Sequence, residues 1–324
     1  MARALGLANL LDHQVGGRRN LIINGAMQVA QRGTSVTGIT TQGYYTIDRF
    51  LASLNSAGTW TQTQETDAPD GFASSLKLEC TTADASPATI DYFLIGQRFE
   101  GQNLQRLKKG TSSAEPVTAS FWVKSNKTGT YIVELIDQDN SARHIGKSFT
   151  VNSSGTWEYK TVTFEGDTTG VLVADNSPSI DFNIWLASGS AYNSGSALQT
   201  SWGALTQTDR AVGNVNLADT IGNYFQITGV QLEVGETATP FEHRSYAEEL
   251  ALCQRYYEKN DNVFIREASN IANVFFKVTK RSTPTVTGTV SSGSATFSPY
   301  PENFLVSGMT LYQAVTSWEA KSEL

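Results

Sequence analysis

The chain has 324 residues and a formal charge of −7, long enough to bury a full core in one or two domains. A mildly acidic surface repels phosphate backbones and argues against a nucleic-acid partner. No apolar run reaches the roughly 18 residues of a membrane span, and no signal peptide is legible, so assembly in a cytoplasm is expected.

In chain order, residues 1–19 form a unit of their own. Leu7, Leu10 and Leu11 share one helical face, and Gly16-Gly17 breaks the helix. So short a helix is unstable alone in water, so its leucines need a partner, either the main domain or another chain. Asn20 to Gly33 reads as two short strands, Leu21-Ile22-Ile23 and Met27 to Val29, around a turn at Asn24-Gly25.

Strand patterns then run to residue 242. Leu76, Leu78 and Cys80 alternate with polar neighbours, as do Val117, Ala119, Phe121 and Val123, and Ile180, Phe182, Ile184 and Leu186. Tyr131 to Ile136 is almost wholly apolar, as in a central strand. The apolar phase changes at Thr228-Gly229, which predicts a β-bulge. Lys108-Lys109 reads as a solvated turn, and residues 187–216 as a long loop. Many short strands with turn residues between them predict an all-β antiparallel sandwich, most simply a jelly roll, over residues 20–242.

A helix is predicted over residues 245–259, opened by a Ser245/Glu248 capping box and closed near Asn260. Tyr246, Leu250, Cys253 and Tyr257 form a narrow heptad-like seam. That seam either lies on a neighbouring domain, the helix serving as a linker, or sits at a symmetry axis where copies meet. Residues 261–324 return to strands as a small β-domain, marginal without a partner surface. Cys80 and Cys253 are expected to be reduced, packed thiols.

Chemistry-bearing patterns are few. His13, His144 and His243 lack metal-ligand spacing, and no cofactor motif is present, so no cofactor or metal site is expected. Asp137 to Asn140 resembles a calcium loop weakly but lacks its Gly and distal Glu, and reads better as a strand-ending turn. Asp91, Glu100, Asp181 and Glu233 cannot be paired from sequence as glycosidase acids, and an enzyme is not expected. Trp122 and Trp185 fall on the polar parity of their strands, and Tyr192 and Trp202 lie in the long loop. Such rings stack on sugars, or else are covered by a loop or a second subunit.

Several segments carry a resemblance. Asn20 to Gly33 (NLIINGAMQVAQRG) and Tyr44 to Phe50 (YYTIDRF) resemble the opening of tailed-bacteriophage appendage proteins. Ile227 to Gly235 and Ala238 to Arg244 (ATPFEHR) are similar to their closing segment. Cys253 to Glu258 (CQRYYE) is similar to their helix, and Lys280 to Val286 (KRSTPTV) to a strand entry that follows. The likeness runs in the same order over most of residues 20–290. It implies a carbohydrate-binding-module-like jelly roll, a homotrimer and a place on the virion surface. The expected protein is a tail fibre with host-adhesive function, bound to another virion protein through residues 1–19 and to a host surface glycan. A capsid head fibre or decoration protein, and a glycan-degrading tail spike, are the alternatives. In this frame Asp48 and Arg49 are expected to be a structural ion pair at a strand end.

Overall fold

Period-two alternation places every second side chain of a strand on one face, and two such faces bury each other. The computed structural model describes residues 18–261, 271–309 and 314–324; Leu7, Leu10 and Leu11 lie outside them. The sandwich strands are β1 (Ser35–Ile39), β2 (Leu51–Asn55), β3 (Thr59–Glu65), β4 (Ser75–Thr82), β5 (Tyr92–Glu100), β6 (Val117–Ser125), β7 (Gly129–Asp137), β8 (Arg143–Val151), β9 (Glu158–Phe164), β10 (Pro178–Ser188), β11 (Gly203–Ala204) and β12 (Tyr224–Val234). They form two six-stranded sheets, ordered β1-β3-β4-β12-β6-β9 and β11-β8-β7-β10-β5-β2. All their pairings are antiparallel, as the sequence predicts.

Phe121, Val123, Leu78, Phe225, Ile184 and Phe182 meet in the core between the sheets. Strand β7 is central: Tyr131, Val133 and Leu135 enter this core, and Ile132 and Glu134 are buried on its other face. The bulge in β12 falls where the phase change predicts it. Register slips between Thr228 and Gln231, with Gly229 at φ +62. Phe225 and Ile227 before it, and Val230 and Leu232 after it, therefore all face the core.

The opening motif departs from expectation. Residues 20–33 form turns rather than a strand pair. Asn24 and Met27 take positive φ, 63° and 56°, which breaks an extended run. Buried side-chain amides then replace sheet partners for the backbone. Asn20 donates to the Val230 carbonyl at 3.0 Å and accepts from the Ile22 and Leu232 amides at 2.9 and 3.0 Å. Gln97 closes a two-way pair with Ile23, 2.8 Å each way. Asp48 and Arg49 do not pair with each other: Asp48 meets Arg32 at 3.3 Å, and Arg49 meets Glu323 at 2.5 Å.

A short helix α1 (Ser190–Asn193) lies in the long loop, and helix α2 spans Tyr246–Gln254 with the Ser245/Glu248 capping box in place. Helix α2 ends at Gln254, with Arg255 as its C-cap, well before residue 259, and this corrects the seam. Tyr257 belongs to strand β13 (Tyr257–Asp261). Cys253 is buried with Ile23, Val29, Tyr256 and Leu324, and Leu250 packs on the same cluster. Of the four seam residues only Tyr246 is strongly exposed, at 56%. The helix stops where two stacks begin: the Arg49 and Arg32 guanidinium carbons each sit 3.6 Å from a ring centroid, of Tyr256 and Tyr257 respectively. Both cysteines are free and buried, and burial pushes the Cys80 thiol up to about 11.

Beyond it lie β14 (Ile271–Phe275), β15 (Thr285–Val290), β16 (Thr296–Pro299), β17 (Asn303–Ser307) and β18 (Val315–Lys321). Two three-stranded sheets, β13-β18-β15 and β14-β17-β16, enclose Val274, Phe276, Phe304, Val306 and Trp318. The residues after β18 tie the C-terminal strands to the jelly roll. Glu323 reaches Arg32 at 3.0 Å as well as Arg49, and Arg98 donates to the Leu324 carbonyl at 3.2 Å.

A candidate ligand groove on the second sheet

Inward-facing residues of β10 serve the core, so Asp181, Asn183 and Trp185 take the opposite face. That face is roofed in part by the long loop. The loop is stitched down by backbone bonds from Gly146 to the Gln199 carbonyl and from Val215 to Thr130, 2.8 and 2.9 Å, and is closed on itself by one from Ala211 to Tyr192, 2.8 Å. Between loop and sheet lies a cavity of about 380 Å³, within the size range of small-ligand clefts. Its floor comes from β2, β5, β7 and β10, through residues such as Ser53, Leu94, Ile136 and Asp181; Tyr192, Gln207 and Arg210 of the loop wall it.

The aromatic wall is a cluster of three rings. Tyr192 lies 5.3 Å from Trp185 and 5.5 Å from Tyr92, centroid to centroid. Trp185 is itself fully buried, because the Arg210 guanidinium covers its ring at 4.9 Å. It is therefore a floor under the groove, while the partly exposed Tyr92 and Tyr192 offer ring surface to a ligand.

Arg210 is fixed from below. Its Nε and Nη2 bond both oxygens of Glu134, at 3.1 and 2.7 Å, and its Nη1 reaches Gln207 at 3.0 Å. Asn183 adds a bond to Glu134 at 3.0 Å, and His144 Nε2 stands 3.2 Å away. Burial by itself would raise the Glu134 carboxyl, but the Arg210 charge, together with the close contacts of Arg210 and His144, outweighs it and holds the group at about 2. Asp181 is the opposite case: burial raises its carboxyl, and Arg98, 3.5 Å away, offsets this only in part.

Gln138 completes the groove, bonding Asp181 Oδ2 at 2.9 Å. It rides on the turn at residues 137–140, which is the strand-ending turn the sequence predicts. Asp137 Oδ1 accepts from the Asp139 and Asn140 amides at 2.9 and 3.1 Å. Lys109 anchors that turn, which corrects the reading of Lys108-Lys109 as solvated. The Lys108 side chain is 54% exposed, but that of Lys109 is 3% exposed. The Lys109 ammonium bonds Asp137, Asp167 at 3.0 Å, and the Thr169 and Gly170 carbonyls at 3.0 Å each.

The four rings singled out in the sequence thus separate. Trp185 and Tyr192 meet in the groove. Trp122 lies on the outer face of the other sheet, 5.4 Å from Tyr159. Trp202 donates to the Glu165 carbonyl at 2.8 Å, with the Lys109 ammonium 5.3 Å over its ring. Of the four carboxylates considered as acids, Asp181 alone lines the groove. Glu100 is bound by Arg255 and Tyr256, Glu233 by Thr239, and Asp91 by the Ala88 amide. Asn183 was legible, two positions from Trp185 on the same parity. Tyr92 and Arg210 come from distant segments, and Gln138 from the Asp137 to Asn140 turn, whose pattern does not point to a groove.

A larger cleft of about 730 Å³ lies between the jelly roll and the small domain. Its charges are matched to one another, Arg32 with Glu323 and Lys321 with Glu319, and Arg32 covers the Tyr257 ring. It is a built junction, and the groove is the better ligand site.

No protein-family profile and no curated protein matches the sequence. Solved structures similar to the chain include a sugar-binding protein described as putative, from Bacteroides thetaiotaomicron (12% identity, 67% of this chain and 100% of that one, TM-score 0.37). A family 11 carbohydrate-binding module from Clostridium thermocellum matches at 9% identity, over 64% of this chain and 98% of that one, TM-score 0.32. The enzymatically active domain of a bacteriophage CBA120 tailspike matches at 11% identity and TM-score 0.34; the match covers 67% of this chain but only 22% of the tailspike chain. The sandwich assignment stands on the strand pairing of the chain itself, and these likenesses extend to strand arrangement alone.

Proposed function

We propose that the protein is a glycan-binding β-sandwich on a virion appendage, holding a host-surface sugar without cleaving it. The observation that carries the binding role is the groove itself. Two tyrosine rings share the lining with Gln42, Gln138, Asn183, Gln207 and Ser53, a combination that suits the apolar faces and hydroxyl groups of a sugar. The appendage role, the surface location and a homotrimeric state rest on the sequence resemblance over residues 20–290. Helix α2 does not supply the trimer contact, since Cys253 and Tyr257 are buried within the chain.

One observation favours a second reading, a hydrolase. Glu134 is held low and Asp181 raised, a split that acid–base pairs use. Glu134, however, has both oxygens bound to Arg210 and no exposure, so it cannot reach a substrate. Titration calorimetry against neutral oligosaccharides of two to six residues tests the binding role. The expected result is saturable binding lost in Tyr192→Ala, kept in Trp122→Ala, and unaccompanied by new reducing ends. Binding unaffected by Tyr192→Ala refutes the groove as the site, and light scattering that shows a monomer refutes the trimer.

A further inference from the structure

Two buried polar atoms on the groove-facing side of β10 have no hydrogen-bond partner among the described residues, Asp181 Oδ1 and Trp185 Nε1. They stand four positions apart, which is roughly 13 Å along a strand. Buried polar groups in folded proteins are normally paired, and the full desolvation penalty of an unpaired one is largest when it carries charge. Asp181 is the sharper of the two. Its Oδ2 is bonded by Gln138, while Oδ1 lacks a donor in a side chain that lines the cavity.

The surrounding charges decide what kind of group can complete it. Arg98 is the cross-strand neighbour of Asp181; its Nε faces the carboxylate at 3.5 Å and its Nη1 is bound to the Leu324 carbonyl. Arg210, the other guanidinium in the lining, is matched to both oxygens of Glu134. Each cation of the groove therefore already faces a carboxylate. The other polar lining groups are carboxamides, Ser53 and the Tyr92 and Tyr192 hydroxyls, which are neutral and both donate and accept, and the buried indole N–H of Trp185, a neutral donor. A carboxylate or phosphate entering here would meet an acceptor lacking a donor, and would gain no unmatched cation in return.

We propose that Asp181 is the specificity-determining group of the groove: Oδ1 accepts a hydroxyl hydrogen from an uncharged sugar and turns away sugars that carry an acidic group. This rests on the reading of the groove as a glycan site. A hydrogen bond to a charged group contributes on the order of a ten- to hundred-fold change in affinity, so the selection is measurable.

The test compares the full chain with Asp181→Asn, Asp181→Ser and Tyr192→Ala, each checked by thermal unfolding. The probes are neutral hexose and pentose oligosaccharides, and the same backbones bearing uronic acid. The native chain should bind a neutral oligosaccharide at least roughly ten-fold more tightly than its uronate counterpart. Both Asp181 variants should weaken neutral binding by roughly ten-fold or more and narrow the preference. Retained neutral affinity in Asp181→Asn and Asp181→Ser, alongside loss in Tyr192→Ala, overturns the role of Asp181 and leaves the glycan groove standing. A native preference for uronates does the same. Absence of binding to every probe, or binding indifferent to Tyr192→Ala, overturns both.

Discussion

Replacing Glu134 by Gln removes the charge that holds Arg210 over Trp185. The cost can be worked in two ways. A carboxyl at about 2 in the fold against 4.5 in an open chain contributes about 3 kcal/mol, at roughly 1.4 kcal/mol per pH unit. Breaking one side of a buried pair costs about 3–5 kcal/mol, so the two routes agree near 3. The sign follows from the depressed pKa: the contribution is fully present above pH 4.5 and is lost as pH falls toward 2. Urea unfolding followed by tryptophan fluorescence should show Glu134→Gln about 3 kcal/mol less stable at pH 7, with the gap closing in acid. Glu134→Gln with Arg210→Met should lose less than the sum of the single changes, because no unmatched charge stays buried. A variant within about 0.5 kcal/mol of native at pH 7, or a gap that persists in acid, refutes this account of the groove floor.

Lys109→Met should destabilise by about 3–5 kcal/mol, read by the same unfolding measurement, because Asp137 and Asp167 lose the cation between them; an unchanged unfolding midpoint counts against the anchoring role. Gly25→Ala would place a Cβ 2.1 Å from the Val230 carbonyl oxygen. Thermal unfolding should fall by several degrees, since backbone rather than a flexible side chain must yield, and an unchanged midpoint would show that the contact yields freely.

The residues that carry the sequence resemblance meet in space. Glu242 accepts from the Arg19 and Asn20 amides at 3.1 and 2.7 Å, and Arg244 donates to the Asn20 and Ile22 carbonyls at 2.5 and 3.1 Å. Arg32 and Arg49 stack on Tyr257 and Tyr256, Arg255 grips Glu100, and Lys280 reaches Glu258 at 2.6 Å. The opening, closing and helix motifs build the joint between jelly roll and small domain, which meets the groove at Arg98.

Local pattern was enough for the strands of the sandwich, the β12 bulge, the capping box of α2 and the buried thiols. Each depends on a period or on neighbours a few residues apart, which a linear string records. Tertiary structure alone decided three things. It made the opening motif a set of turns, because Asn20 and Asn24 within it, and Gln97 and Glu249 from far along the chain, satisfy its backbone. It ended α2 at Gln254, because Arg32 and Arg49 capture the two tyrosines that follow the Arg255 cap. It joined Tyr92, Asp181, Tyr192 and Arg210 into one groove. Side chains separated by tens of residues share a site only when sheet order brings their strands together, and that order is set by the packed core, not by any local period.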